Sequence, residues 1–271
     1  DMLAGLASRL SGKGFAHSGG FWRKSSLHQG LRRLDPNHVW RAHLSSGAPT
    51  AAACRSVFFI KRSDDAISSA ANSPADVVVL DMEDAVAAED KADARVLYRR
   101  HLNAGTLRSK QLFIRVNSLG DDTMAVDDIE ALAHASVSGF VLPKVESVAD
   151  MNEFELLCAK AESRLGLPSG HFRFIPIIET PRALFAVHEL CGCTPRNYAA
   201  IMGTADLRAQ TFAQETTMAN LVPRSLLVLA CRATGVLPVD TPSTVLDHAA
   251  FETECRHARE LGFSGRMTLL P

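Results

Sequence analysis

The sequence predicts a (β/α)8 barrel, the TIM-barrel form of the α/β class, in which eight parallel strands close into a ring inside a layer of helices. Three observations predict it. From residue 55 onward, short β-branched apolar runs alternate with stretches of helical length. The runs are nearly continuous in apolar residues, as strands covered on both faces require. Charged residues gather just past the ends of the runs, at the edge where parallel barrels build their sites. A doubly wound open sheet is the competing arrangement, but no G-x-G-x-x-G follows the first strand.

Taken in order, residues 2–53 stand apart. They carry Arg9, Lys13, Arg23, Lys24, Arg32, Arg33 and Arg41 against a single acid, Asp35, and are rich in Ser, Gly and His. Met2, Leu3, Leu6 and Leu10 can share one side of a short helix. An Arg- and Ser-rich, acid-poor amphipathic start is the composition of a mitochondrial transit peptide, with a disordered basic tail as the alternative. Residues 1–53 are therefore expected to be a leader and 54–271 the barrel domain. The expected location is the mitochondrial matrix, or the cytoplasm if the leader is no transit peptide.

The expected strands are 57–60, 77–81, 111–115, 139–144, 172–178, 198–203, 236–239 and 266–270. The helices between them are expected at 64–71, 89–101, 126–134, 148–165, 181–190, 221–234 and 247–261. Pro181 opens one helix, and Gly235 and Gly262 follow the ends of two others, which is the usual punctuation. The eighth helix and the C-terminal lid segment of a complete barrel are expected to be absent from this chain, which reads as a fragment whose missing cover leaves apolar surface exposed.

Composition narrows the partners. A 271-residue chain with 46% hydrophobic and 22% charged residues and a net charge of -1 offers no basic surface for nucleic acid or an anionic membrane. No apolar run reaches the roughly 18–20 residues of a membrane span. The six cysteines are scattered, with Cys191 and Cys193 the one close pair, and reduced thiols are expected rather than disulfides or zinc ligands.

The chemistry is read from the strand ends. FRFIPIIE finishes at Glu179 and YAAIMGTAD at Asp206, on neighbouring strands. Mg²⁺ takes oxygen ligands, keeps waters and uses one or two carboxylates plus substrate, so Glu179 and Asp206 are the expected metal pair. Arg115, closing strand three, offers a permanently charged fork to a substrate carboxylate. Asp81, Glu83, Asp84 and Lys144 are expected around them, hydrogen-bonding metal waters or orienting Arg115. The expected substrate is a small acyl-CoA or oxo acid.

The motifs RSVFF, LDMEDAVAAEDKADAR, FIRVN, LPKVES, IPIIETPRAL, GTADL, RSLLVLACRATGVLPVD and ARELGFSGRMTLLP, in order from about Arg55 to Pro271, resemble the citrate lyase β-subunit-like branch of the HpcH/HpaI aldolase superfamily. The resemblance implies a TIM barrel, usually trimeric or hexameric, with Mg²⁺ on Glu179 and Asp206 and the substrate carboxylate on Arg115. It places further substrate contacts after strand seven, at Val239 and Asp240. Strand two ends Asp81-Met82-Glu83-Asp84 without the histidine of the pyruvate-type aldolases, which resembles the acyl-CoA lyases acting on citramalyl-CoA or malyl-CoA.

Several positions depart from the pattern. Lys61-Arg62 replaces a Pro-Gly turn, Ala66 and Ala70 stand where the mitochondrial members carry CoA-binding lysines, Ala205 replaces a glutamate, and Leu270 replaces a histidine. The family's catalytic aspartate belongs to a segment that would follow Pro271. The expectation is a Mg²⁺-dependent lyase of a short 3-hydroxyacyl-CoA. The alternatives are a CoA-independent 4-hydroxy-2-oxo acid aldolase and a non-catalytic metal-binding barrel subunit.

Overall fold

A computed structural model describes residues 54–108, 110–214, 216–243 and 245–269. Its strands are β1 (Ser56–Ile60), β2 (Val77–Asp81), β3 (Gln111–Arg115), β4 (Gly139–Leu142), β5 (Arg173–Ile178), β6 (Ala199–Met202), β7 (Leu237–Asp240) and β8 (Gly265–Thr268). They pair in parallel in sequence order, and β8 returns to β1 to close the barrel. The leader expected over 1–53 lies outside the described residues, as do Leu270 and Pro271.

Side chains alternate across each strand, so one parity fills the barrel and the other meets the helices. Val57, Phe59, Val77, Val79, Phe113, Val141, Ile175, Ile177, Ala199, Ile201, Val239 and Met267, all odd-numbered, are the strand members of the inner cluster, and Cys54 joins it from just before β1. The even-numbered Phe58, Val78, Leu80, Ile114, Phe140, Phe174 and Met202 pack outward under the helices. Both layers are apolar, which is why the runs read as continuous. The same parity carries Asp81, Arg115 and Glu179 to the inside, and Asp81 and Arg115 lie directly opposite each other in the β2–β3 register.

The helices are α1 (Asp64–Asn72), α2 (Lys91–Ala104), α3 (Met124–Leu132), α4 (Val148–Leu165), α5 (Pro181–Phe185), α6 (Val187–Gly192), α7 (Thr204–Thr211), α8 (Thr217–Thr234) and α9 (His248–Leu261). Local chemistry sets their ends. Ser147 and Asp150 form a reciprocal capping box on α4, and Thr180, Thr216 and Asp247 cap α5, α8 and α9 through their side chains.

Four elements differ from expectation. The single helix expected over 181–190 is two short ones, broken at Ala186, where ψ is 4°. α7 was not expected, and it takes Asp206 into its first turn. β4 stops at Leu142, because Lys144 adopts the left-handed φ of 51° and leaves the sheet direction. α8 begins four residues earlier than expected and continues through Pro223. Val222 and Leu229 on it are 63% and 66% accessible.

Buried ion pairs fasten the periphery. Arg196 binds Glu162 through two nitrogens, at 2.6 and 2.9 Å, and also donates to the Phe172 carbonyl. On the far side Asp240, fully buried, accepts from Arg224 at 2.9 and 2.6 Å and from Arg266 at 3.1 Å. No described helix is long and apolar enough to cross a membrane.

Candidate active site

The C-terminal mouth of the barrel collects charge from four consecutive strand ends. β2 and its loop contribute Asp81, Glu83 and Asp84; β3 contributes Arg115. Asp81 grips the guanidinium in a two-point fork, Nε to Oδ1 at 2.7 Å and Nη2 to Oδ2 at 2.6 Å. Nη1 meets Glu83 Oε2 at 2.8 Å and Asp84 Oδ2 at 3.1 Å. Burial works against the charge on Arg115, but Asp81 and the neighbouring acids outweigh it and hold the group protonated beyond the ordinary arginine value. Of these partners Asp84 is the exposed one, with 64% of its side chain accessible.

The β4 turn contributes Lys144, which works in two directions. Its backbone N–H donates to Glu179 Oε1 at 2.7 Å, while its Nζ lies 2.9 Å from Glu83 Oε1. The left-handed backbone at Lys144 is what lets one residue serve both acids, and such strain persists where the surroundings enforce it. Contact with Glu83 raises the Lys144 ammonium above its usual range. Glu83 is itself raised, because burial outweighs the help of Arg115 and Lys144.

Glu179, one residue past β5, is 3% exposed. Its carboxyl is pushed up to about 8, first by burial and then by the charges of Glu83 and Asp206, against the Lys144 N–H and Arg115. Asp206 exerts its charge from the first turn of α7. Thr204, at the start of that helix, shares a 2.7 Å hydrogen bond with Thr241 beyond β7, which fixes the turn carrying Asp206. Gly203 makes the approach possible. A Cβ there would stand 2.9 Å from both Glu179 Oε2 and Ile177 Cγ2. Gly203→Ala is expected to cost about 1–3 kcal/mol by overpacking and to displace the Glu179 carboxylate. Urea unfolding and Mg²⁺ titration check it, and wild-type values in both would show that β6 yields freely.

The structure thus joins Asp81, Glu83, Asp84, Arg115, Lys144 and Glu179 in one network of contacts, four carboxylates against two cations, and carries Asp206 on the first turn of α7. It does not bring in the side chains expected after strand seven. Val239 is wholly inside the barrel, and the Asp240 carboxylate turns outward to Arg224 and Arg266, away from the mouth. Lys91, unremarked in the sequence, is a buried participant through its three hydrogen bonds behind the β2 loop. Its signal was present as a lysine inside the strand-two motif. A cavity of about 500 Å³ adjoins the mouth, lined by Glu83, Asp84, Asn117, Asp121, Asp122 and Lys144 among others.

Comparison with known proteins identifies the family. The model of the HpcH/HpaI aldolase/citrate lyase family matches residues 55–271. The chain is 30% identical to the citrate lyase subunit beta of Leuconostoc mesenteroides subsp. cremoris, over 73% of this chain and 66% of that one, so it spans about two thirds of that relative's length. It is likewise 30% identical to the L-malyl-CoA/beta-methylmalyl-CoA lyase of Cereibacter sphaeroides, over 74% of this chain and 70% of that one. Among solved structures, the citrate lyase beta subunit of Mycobacterium tuberculosis complexed with oxaloacetate and magnesium superposes with a TM-score of 0.65. It is 27% identical, with 82% of this chain and 93% of that one covered. A closed parallel barrel, an acidic mouth built on its strand ends, and a family match running through every strand lead to one statement: the chain belongs to the HpcH/HpaI aldolase/citrate lyase family.

Proposed function

We propose that the chain is a Mg²⁺-dependent carbon–carbon lyase that splits a short 3-hydroxyacyl-CoA, of the citramalyl-CoA or malyl-CoA type, into acetyl-CoA and a 2-oxo acid. The observation that carries this reading is the Glu179 carboxyl, buried at the barrel mouth with the Lys144 N–H on one of its oxygens at 2.7 Å. Burial first, and then the charges of Glu83 and Asp206, push that carboxyl up to about 8, an arrangement that a divalent cation relieves. The donor set fits the ion. Glu179 and Asp206 supply two oxygen ligands, few enough to leave places for water and substrate. The relatives point the same way: one bears the name of a malyl-CoA lyase, and another was solved with magnesium and oxaloacetate.

In this reading Glu179 and Asp206 hold Mg²⁺, which supplies a Lewis acid to the substrate oxygens when bound. Arg115 receives the carboxylate of the oxo-acid portion. Asp81 fixes the fork, and the incoming carboxylate takes the place of the exposed Asp84 at Nη1. Lys144 adds positive charge at the rim. In the cleavage the 3-hydroxyl loses its proton and becomes the oxo group. The electron pair of the broken C–C bond passes to the thioester α-carbon, which then takes up a proton to give acetyl-CoA.

Two observations favour a second reading, a CoA-independent aldolase acting on a 4-hydroxy-2-oxo acid. Ala70 is fully buried, so that position presents nothing to a phosphate, and Arg62 is engaged by Asp90 at 2.9 Å. Assaying citramalyl-CoA, malyl-CoA and 4-hydroxy-2-oxo acids, each with Mg²⁺ and with chelator, separates the two. Mg²⁺-dependent turnover confined to the CoA esters is expected. Turnover of the free acids alone transfers the assignment to the aldolase, and metal binding without any turnover removes both.

A further inference from the structure

Behind the mouth, one side chain holds the loop that carries two of its carboxylates, Glu83 and Asp84. Lys91, the first residue of α2, donates from Nζ to two consecutive carbonyls of that loop, Met82 at 2.6 Å and Glu83 at 2.9 Å. Its third proton goes to Asn117 Oδ1, also at 2.6 Å, two residues beyond Arg115 on the neighbouring strand end. Asn117 is fixed in turn. Its backbone N–H and its side-chain amide both donate to Asp128 Oδ2, at 2.9 and 2.6 Å, and Arg95 holds the other oxygen of Asp128 at 2.8 Å. The chain of contacts therefore runs from α3 through the β3 loop to the backbone at Glu83.

Packing alone does not call for a lysine here. The residue is buried at 8% exposure, and among the described residues its ammonium touches neutral acceptors and forms no ion pair within 4.0 Å. Burying an ammonium group on such terms is expensive, and a methionine would fill the space at lower cost. What the lysine supplies is position: three protons in a fixed geometry, two of them on the backbone that aims Glu83. Glu83 in turn touches both cations of the mouth, Arg115 at 2.8 Å and Lys144 at 2.9 Å.

We propose that Lys91 is a positioning residue for substrate binding. By clamping Met82 and Glu83 to Asn117, it keeps Arg115 and Lys144 in the orientation that receives the oxo-acid carboxylate. The proposal rests on the functional reading above for the identity of the ligand, but not for the clamp itself. Lys91 touches neither Glu179, one residue past β5, nor Asp206, on α7, so the metal pair feels the clamp only at second hand, through Glu83 and Lys144.

The test uses Lys91→Met in the full chain, with three measurements. Hydrogen exchange of the segment 81–87, followed by mass spectrometry, is expected to quicken about tenfold or more while β5 and β6 keep their protection. Affinity for pyruvate in the presence of Mn²⁺ is expected to fall about 10- to 100-fold, as it does when an outer partner of a bound group is lost. Affinity for Mn²⁺ alone, read by electron paramagnetic resonance, is expected to stay within about threefold. Lys91→Arg, which keeps charge and donors, is expected to recover part of the pyruvate affinity. Should Lys91→Met not fold, Lys91→Gln carries the same measurements. Unchanged exchange in 81–87 overturns the proposal. So does a loosened loop with undiminished pyruvate affinity, or a parallel loss of Mn²⁺ and pyruvate. A wild type that binds Mn²⁺ but no pyruvate sinks the functional reading instead, and the exchange result then decides the clamp by itself.

Discussion

Glu179→Gln is expected to make the metal-free protein more stable at alkaline pH while abolishing its response to Mg²⁺. The sign follows from the direction of the shift. The carboxyl titrates near its ordinary 4.5 in the unfolded chain and at about 8 in the folded one, because burial and the charges of Glu83 and Asp206 oppose ionisation. Between those values the native state holds the extra proton, so stability declines as pH rises, and above about 8 the full cost is present. Glutamine keeps an acceptor for the Lys144 N–H and removes the charge. In chelator, the variant and the wild type should unfold at similar urea concentrations near pH 5. By pH 9 the variant should be ahead by roughly 2–4 kcal/mol. Millimolar Mg²⁺ should then stabilise the wild type alone. A variant weaker than the wild type at pH 9 in chelator would mean that the ionised carboxylate is held favourably, and the metal reading would lose its main support.

Asp240→Asn is expected to be among the most damaging single substitutions outside the mouth. The carboxylate is fully buried between Arg224 and Arg266, at 2.6 and 3.1 Å, and it joins α8, β7 and β8. Removing its charge leaves Arg224 without its carboxylate and Arg266 with Glu254 alone, at 2.7 Å, and about 3–5 kcal/mol is the usual cost of breaking a buried pair. Arg256→Ala, which breaks the exposed i,i+4 pair with Glu252, should cost about 0.5 kcal/mol or less by the same urea assay. Equal costs for the two would show that the Asp240 network is solvated.

Fold class and the number of strands were readable because burial on both faces makes each strand a bare apolar run, and helices separate the runs. The places of Glu179, Arg115 and the β2 acids at the mouth were readable because a charge that ends such a run has few other places to go. Asp240 shows where that logic fails. It ends β7 as Glu179 follows β5, but it sits on the opposite parity, and with Leu237, Pro238 and Val239 all apolar nothing in the run says which side is inner. α7 was missed because its short run Thr204–Thr211 carries little apolar periodicity, so the placement of Asp206 on a helical first turn was hidden. Lys91 was missed for a different reason: a lysine at a helix start reads as solvent-facing, and only three-dimensional structure shows its protons turned inward.

The parity of the strands limits how this barrel can change over time. Because neighbouring residues in a strand face opposite sides, adding one residue upstream within β5 would turn Glu179 toward the helices and present Ile178 to the mouth, and deleting one would present Thr180. New chemistry on this scaffold therefore has to come from exchanging side chains at the odd positions and remodelling loops, while strand lengths stay frozen.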